Sequence, residues 1–440
     1  SSHISFLHTL DIFLKTNYVY ILSFFIPFLL FVITMVVGDA LPFGANSIFD
    51  ADGTVSTIPA FLDQYYKYRN GNQYLSMNIG FGTDLTFSYS IYLLSKLYHF
   101  LPLTMVIPAM EFMLAFCLGL CGLNMTIYMT HRSKHTAINC RDFRLLLPAC
   151  IYALNAYILA SRNYPTWYLV LMLFPLVMLA MDNLMEKKKI LAYSALLGIC
   201  ILAEIQLAMF ICIFLVIHFF TYRFQDFKDF VCRGIRFGFA SLLGGGCGFI
   251  VVYRTLTTYQ GSGYSTTDHV FPALGFHGSF WAQWRKLMIF TPTDATSLDP
   301  GNISLYCGIF TLLLASVYFL YKKTTLADKL RYLIPIVILS VSYNGQVLSY
   351  LWNGLHYQSN CPNRYVFLLI FLLAEMAYDG FTLLPKLSLR KLQPVILGWT
   401  VFFILCGIFR SEVMDHSLLW TLAAFMIYVF LHCQVRLHSL

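Results

Sequence analysis

Windows of about 20 consecutive apolar residues, the length of helix that a bilayer core requires, recur along nearly the whole chain. They lie near 18–37, 103–130, 145–160, 167–185, 190–203, 206–222, 238–256, 303–321, 332–350, 365–384, 393–409 and 417–435. A chain patterned this way cannot coat a water-soluble globule. Only 11% of its 440 residues are charged and 58% are hydrophobic, against roughly a quarter charged in an ordinary soluble domain. The expected fold class is an all-α polytopic membrane protein of about twelve transmembrane helices, one transmembrane domain over 1–440. The boundary between the fifth and sixth spans is the weakest. Only Glu204 and Gln206, either side of Ile205, interrupt that apolar run, and a single re-entrant hairpin there is the alternative, which would preserve the same orientation.

The first window exceeds the roughly 7–15 apolar residues of a signal-peptide core and is read as a retained span. Charge then sets orientation. With the N-terminus inside, twenty of the 29 Lys and Arg fall on inner loops and nine outside, as the positive-inside rule expects. The net charge of +8 therefore reflects membrane topology, and no nucleic-acid partner is expected. The twelve Cys lie mostly inside apolar stretches without the short paired spacings of a zinc site or disulfide framework. They read as small packing residues.

Two outer loops, 38–102 and 255–302, are longer than a connection requires, and long loops usually carry function. The first places Asp39, Asp50 and Asp52 near the outer membrane edge. From Pro59 to Asn70 a short interfacial helix is expected, since Pro tolerates a first helical turn, Gly71 can end it, and Phe61, Tyr65 and Tyr68 share helical spacing. A carboxylate at this boundary can serve as general base for an acceptor hydroxyl. Asp52 is the first candidate and Asp50 the second, although loop acids are more often solvated or helix caps. Asp84 is read as a cap for a helix near 85–100.

Arg364, two residues after Pro362 at the start of a span, could hold a lipid-linked phosphate in a bidentate contact or simply anchor the helix end. Arg285 and Lys286, following Trp284, suit an interfacial helix facing a lipid headgroup, with plain surface anchoring the commoner outcome. His356 could assist phosphate binding or proton transfer, but a lone loop histidine is more often structural. Glu111 and Glu204 lie within or beside spans, where an ionisable group is a functional candidate by default or a helix-packing contact.

Several segments in order resemble the YfhO family of bacterial membrane proteins, which belongs with the GT-C type glycosyltransferases. They are DGTVSTIP, NIGFGTD with IYLLSKLYHFLP after it, RNYPTWYLVLMLFPLVMLAMDNL, DPGNISLYCGIFTLLL and LWNGLHYQSNCPNRYVFLLIF. The resemblance covers most of the chain. Departures are Ser56-Thr57 where the family favours Gln-Tyr, Lys96 where Pro is usual, and Asn353 where His is expected after Trp352. Members are often longer, which implies a short member or a fragment.

The resemblance implies a GT-C-like fold in a bacterial cytoplasmic membrane, with the active site facing outside. It implies transfer of a sugar from a polyprenyl-phosphate-sugar donor to an outer-face acceptor, often a teichoic acid or other cell-surface glycopolymer. Asp52 would activate the acceptor hydroxyl for inverting attack, and an outer-edge cation, Arg364, would stabilise the departing lipid phosphate. No nucleotide site, cofactor or metal is implied. The residues alone leave open a secondary transporter or flippase, a surface-glycan polymerase or ligase, and a noncatalytic envelope scaffold.

Overall fold

The structure, a computed structural model, describes residues 2–70, 75–78, 83–84, 96–132, 138–261, 271–291, 303–356, 363–408 and 416–437. It is built almost entirely of helices, with one two-residue antiparallel ladder, Leu75–Ser76 against Thr83–Asp84. Among the described residues six helical stretches are long and apolar enough to cross a membrane: Lys15–Val37, Leu103–His131, Phe143–Asn163, Pro165–Lys187, Val366–Lys386 and Arg390–Ile408. The pair Phe227–Cys247 and Phe249–Thr257, bent by 68°, makes a seventh if it is one span and otherwise a re-entrant loop. The chain is therefore a polytopic membrane protein. The windows at 190–203, 206–222, 303–321 and 417–435 yield shorter apolar helices, Ile190–Ala203, Ile205–Phe219, Ile309–Leu320 and Ser417–Val429. The first two are parted at Glu204, whose backbone is extended, so the only acid in that apolar run marks the break.

The chain divides into two compact units. The first comprises 1–153, 161–211 and 223–265. In it, α1 (Ser2–Val37) and α2 (Ile58–Asn70) precede α3 (Leu103–His131), α4 (Leu146–Ala153), α5 (Pro165–Lys187), α6 (Ile190–Ala203) and α7 (Phe227–Cys247). Helix α3 is central, packing on α1, α4 and α5, while α6 packs on α5 and α7.

Lipid tails are as apolar as Leu, so helices associate in a bilayer through close packing and polar contacts rather than a hydrophobic difference. The α1–α3 contact shows both. A Cβ on Gly122 would stand 2.2 Å from the Ser23 carbonyl oxygen, so only glycine permits this approach. One turn further on, Thr126 donates to Ser23 Oγ at 2.7 Å, and Tyr20 and Thr130 share a 2.9 Å hydrogen bond.

Helix α2 forms where Pro59 and the aromatic spacing predicted it. It buries Phe61 and Tyr65, each 1% exposed. Asp63 lies on the same helix, paired with Lys67 at 2.9 Å and accepting from Asn78 at 2.9 Å. Asp84 is found in the short ladder, and 85–95 of the helix expected after it lies outside the described residues.

The second unit comprises 154–160, 212–222 and 266–440. Its core is α8 (Ile309–Leu320) against α10 (Val366–Leu383), with α9 (Leu326–Ser342) on α10 and α11 (Leu389–Ile408) on α8. Helix α10 is buried along nearly its whole length. Of the second long loop, 262–270 and 292–302 lie outside the described residues.

Candidate functional site

The first-loop acids sit where the chain leaves α1 and turns into α2, and seven hydrogen bonds made by side chains fix that turn. Glu111, fully buried on α3, accepts from Ser47 Oγ at 2.5 Å and from the Ile48 amide at 3.2 Å. The Ile48 carbonyl accepts from Arg162 Nε at 3.0 Å, so the segment is held on both sides of one residue. Asn163 then pairs with Asp50 twice: its Oδ1 accepts the Asp50 amide at 3.0 Å, and its Nδ2 donates to Asp50 Oδ1 at 2.7 Å. Arg162 donates through Nη2 to the other carboxylate oxygen of Asp50, and Thr57 donates to the Asn163 carbonyl at 2.7 Å.

Between the two acids Ala51 has φ 35°, in a region where a Cβ costs roughly 1–2 kcal/mol. The surrounding contacts hold this kink. Immediately after Asp52, Gly53–Thr57 forms a single π-helical turn, closed by the Ile58 amide on the Gly53 carbonyl. Such turns are rare and gather at functional sites. Gly53 is required here, since a Cβ would lie 2.5 Å from Asn163 Oδ1.

The two acids thus have different surroundings. Partial burial pushes the Asp50 carboxyl up, but the Asn163 hydrogen bond and the Arg162 charge and hydrogen bond outweigh it and hold it below the usual carboxylate range. Both its oxygens are engaged. Asp52, half-exposed, accepts at Oδ2 from the Tyr164 hydroxyl. Among the described residues its Oδ1 has no hydrogen-bond partner. The Tyr164 ring stacks on Trp167 at 4.3 Å between centroids, which fixes the phenol at the N-terminus of α5, where Pro165 takes the first helical position.

Arg162, Asn163 and Tyr164 were not among the sequence candidates, although RNYPTW was one of the segments carrying the resemblance. The cation that meets the first-loop acids is Arg162, bonded to Asp50.

The proposed phosphate-binding residues belong to the second unit. Arg364 is half-buried, and its carbonyl accepts from the Tyr157 hydroxyl at 2.6 Å. The next residue, Tyr365, is fully buried between Trp352, at 4.5 Å and 8° from parallel, and Tyr343, at 5.2 Å. The Trp352 indole donates to Ser342 Oγ at 3.0 Å, and the Tyr365 hydroxyl to the Ser342 carbonyl at 3.0 Å. WNG (352–354) and NRY (363–365), with Tyr343, therefore build one aromatic platform at the start of α10 that fixes the backbone beneath Arg364.

Asn353, standing where His was expected, donates to the Ser349 carbonyl at 2.8 Å. His356 is half-buried outside any helix, and 357–362 lies outside the described residues. Arg285 and Lys286 occupy a 3₁₀ turn after the five-residue helix Phe280–Trp284, shorter than the interfacial helix expected. Their neighbours Trp284 and Leu287 line an apolar cavity of about 180 Å³ with Leu312, Phe319, Leu369 and Trp399.

Glu204 accepts from Thr166 at 3.1 Å within the first unit. Glu111 serves the loop as described. Among the described residues no group of three or more His, Cys, Asp or Glu could hold a metal ion.

The family model for the bacterial membrane protein YfhO matches residues 23–439. The chain belongs to the YfhO family. The match embraces the first-loop acids, the Arg162–Tyr164 clamp and the platform beneath Arg364, so all these features lie within the part shared with YfhO proteins. No curated protein matches the chain.

Proposed function

We propose that this YfhO-family protein transfers a sugar from a polyprenyl-phosphate-linked donor to an extracytoplasmic acceptor, such as a teichoic acid or another cell-surface glycopolymer. The observation that carries the reading is the contrast between the two acids: Asp50 spends both oxygens on Arg162 and Asn163, while Asp52 keeps Oδ1 open on a rigid turn. A general base needs an accessible lone pair within reach of the proton it removes.

In this reading Asp52 takes the acceptor hydroxyl proton as the oxygen attacks the anomeric carbon. The bond from that carbon to the phosphate oxygen breaks, the configuration inverts, and polyprenyl phosphate leaves with the bonding electrons. Arg364 offsets the charge that grows on the phosphate, an interaction worth most in the transition state. Arg285 and Lys286, with His356, are secondary phosphate contacts. The apolar cavity beside Trp284 suits part of the isoprenoid chain, whose burial contributes about 25 cal/mol per Å². Asp50 becomes a positioning residue. The reading includes a GT-C-like membrane domain in which the bent pair, the four shorter apolar helices and α9 also cross, giving about twelve spans with the N-terminus inside.

The test is release of polyprenyl phosphate when the detergent-purified protein meets polyprenyl-phosphate sugars. Asp52→Asn should abolish turnover while keeping the melting temperature, and Arg364→Lys should reduce it. Undiminished turnover in Asp52→Asn would remove Asp52 from the mechanism. Absence of turnover with every donor would favour transport or flipping of a lipid-linked substrate.

A further inference from the structure

Three helix ends of the second unit meet around an open hollow of about 430 Å³, within the roughly 300–1,000 Å³ range of small-ligand sites. Tyr321, Lys322 and Lys323 follow the end of α8. Lys386 and Leu387 follow α10, and Lys391 lies in the first turn of α11. The lining is amphipathic: Leu320, Tyr321 and the 2%-exposed Leu387 form its apolar part, and four lysines supply the charge. No acid lines it. Among the described residues none of the four ammonium groups has an ion-pair or hydrogen-bond partner.

Lysines after a helix C-terminus are favoured by the helix dipole and by membrane topology, so their presence alone needs no ligand. Their convergence from three helices on one hollow does. The hollow is separate from the Arg364 platform. Arg364 precedes α10 and Lys386 follows it, and the 21-residue stretch Val366–Lys386 rises about 32 Å at 1.5 Å per residue, the thickness of a bilayer core. The lysine end faces the opposite side of the membrane, the one assigned to the inside by the distribution of basic residues.

We propose that this hollow binds the phosphate of an anionic phospholipid headgroup. The ligand class follows from position and lining. Unpaired ammonium groups favour a phosphate, apolar walls suit the adjoining glycerol and chain, and the ends of membrane-spanning helices lie at headgroup depth. Basic recesses between membrane helices take phosphate headgroups in this way.

Native mass spectrometry of the full chain in detergent tests the proposal, titrating phosphatidylglycerol, phosphatidylcholine and inorganic phosphate separately. Phosphatidylglycerol should bind in preference to phosphatidylcholine. Each lysine contributes about 1 kcal/mol toward an anionic surface, or roughly five-fold in affinity. The pairs Lys322→Gln with Lys323→Gln, and Lys386→Gln with Lys391→Gln, should therefore each weaken phosphatidylglycerol binding roughly 25-fold. The matching Lys→Arg pairs should retain it. Unchanged binding in both Gln pairs would overturn the proposal, as would equal binding of phosphatidylcholine. Displacement of the lipid by millimolar inorganic phosphate would overturn it too, by marking a site for soluble phosphate. None of these residues belongs to the proposed transferase site, so loss of lipid binding with turnover intact separates the two readings.

Discussion

Asp50 and Asn163 hydrogen-bond to each other twice, amide to side chain at 3.0 Å and side chain to side chain at 2.7 Å, across 113 residues of sequence. Asn163 is 3% exposed, so replacing it leaves polar groups of the first loop without partners in a place water reaches poorly. Asn163→Ala should cost about 1–3 kcal/mol, read as a lowered melting temperature in detergent. Hydrogen exchange should accelerate at the Asp50 amide and leave that of α10 unchanged.

Glu111 offers a sharper comparison, because it acts toward the loop only as an acceptor for Ser47 and Ile48. Glu111→Gln keeps a carbonyl oxygen and should retain most of the loop's protection. Glu111→Leu should lose it, with exchange at the Ile48 amide rising at least ten-fold. Equal behaviour of the two variants would show that burial alone, and not the acceptor, holds the segment.

The clamp also carries a pH dependence. The Asp50 carboxyl is held below its ordinary value, so its contribution to loop order is complete above the unfolded carboxylate range near pH 4. It is lost as pH falls through the lower folded value. Because the Asp50 side chain is 57% exposed, solvent screening keeps the effect small. The protection of residues 47–57, taken relative to the intrinsic exchange rate at each pH, should fall on acidification from pH 5 toward pH 3. In Asp50→Asn that acid-dependent loss of protection should disappear.

The apolar windows and the aromatic spacing of α2 made the helical membrane architecture and the short loop helix legible in the sequence. They respond to local rules of length, hydrophobicity and capping. The clamp was not legible in the same way. Arg162 read as one of nine minority outer cations, and nothing local to RNY says that its partners lie more than a hundred residues earlier. The WNG and NRY segments stood out, but their stacked contact is a tertiary fact. Span count depended on breaks that hydropathy blurs, such as the extended Glu204 between two apolar helices.

The Trp352–Tyr365 stack predicts a stability effect that activity alone would not reveal. Both rings are buried, and truncating such a group costs about 3–5 kcal/mol. Trp352→Ala should therefore lower the melting temperature strongly. Tyr365→Phe keeps the stack and loses only the bond to the Ser342 carbonyl, which should cost about 1 kcal/mol.

Tyr164→Phe isolates the contact made by the proposed base. The ring that stacks on Trp167 is preserved, so the start of α5 and the melting temperature should hold, while the hydrogen bond to Asp52 Oδ2 disappears. Hydrogen bonds to charged groups contribute about 1.5–3 kcal/mol. If part of that interaction aligns Asp52 in the transition state, kcat should fall roughly ten-fold, which corresponds to about 1.4 kcal/mol of barrier, with KM for the donor nearly unchanged. A rise in KM at constant kcat would instead make Tyr164 a substrate contact, and no change in either would detach the phenol from the work of Asp52.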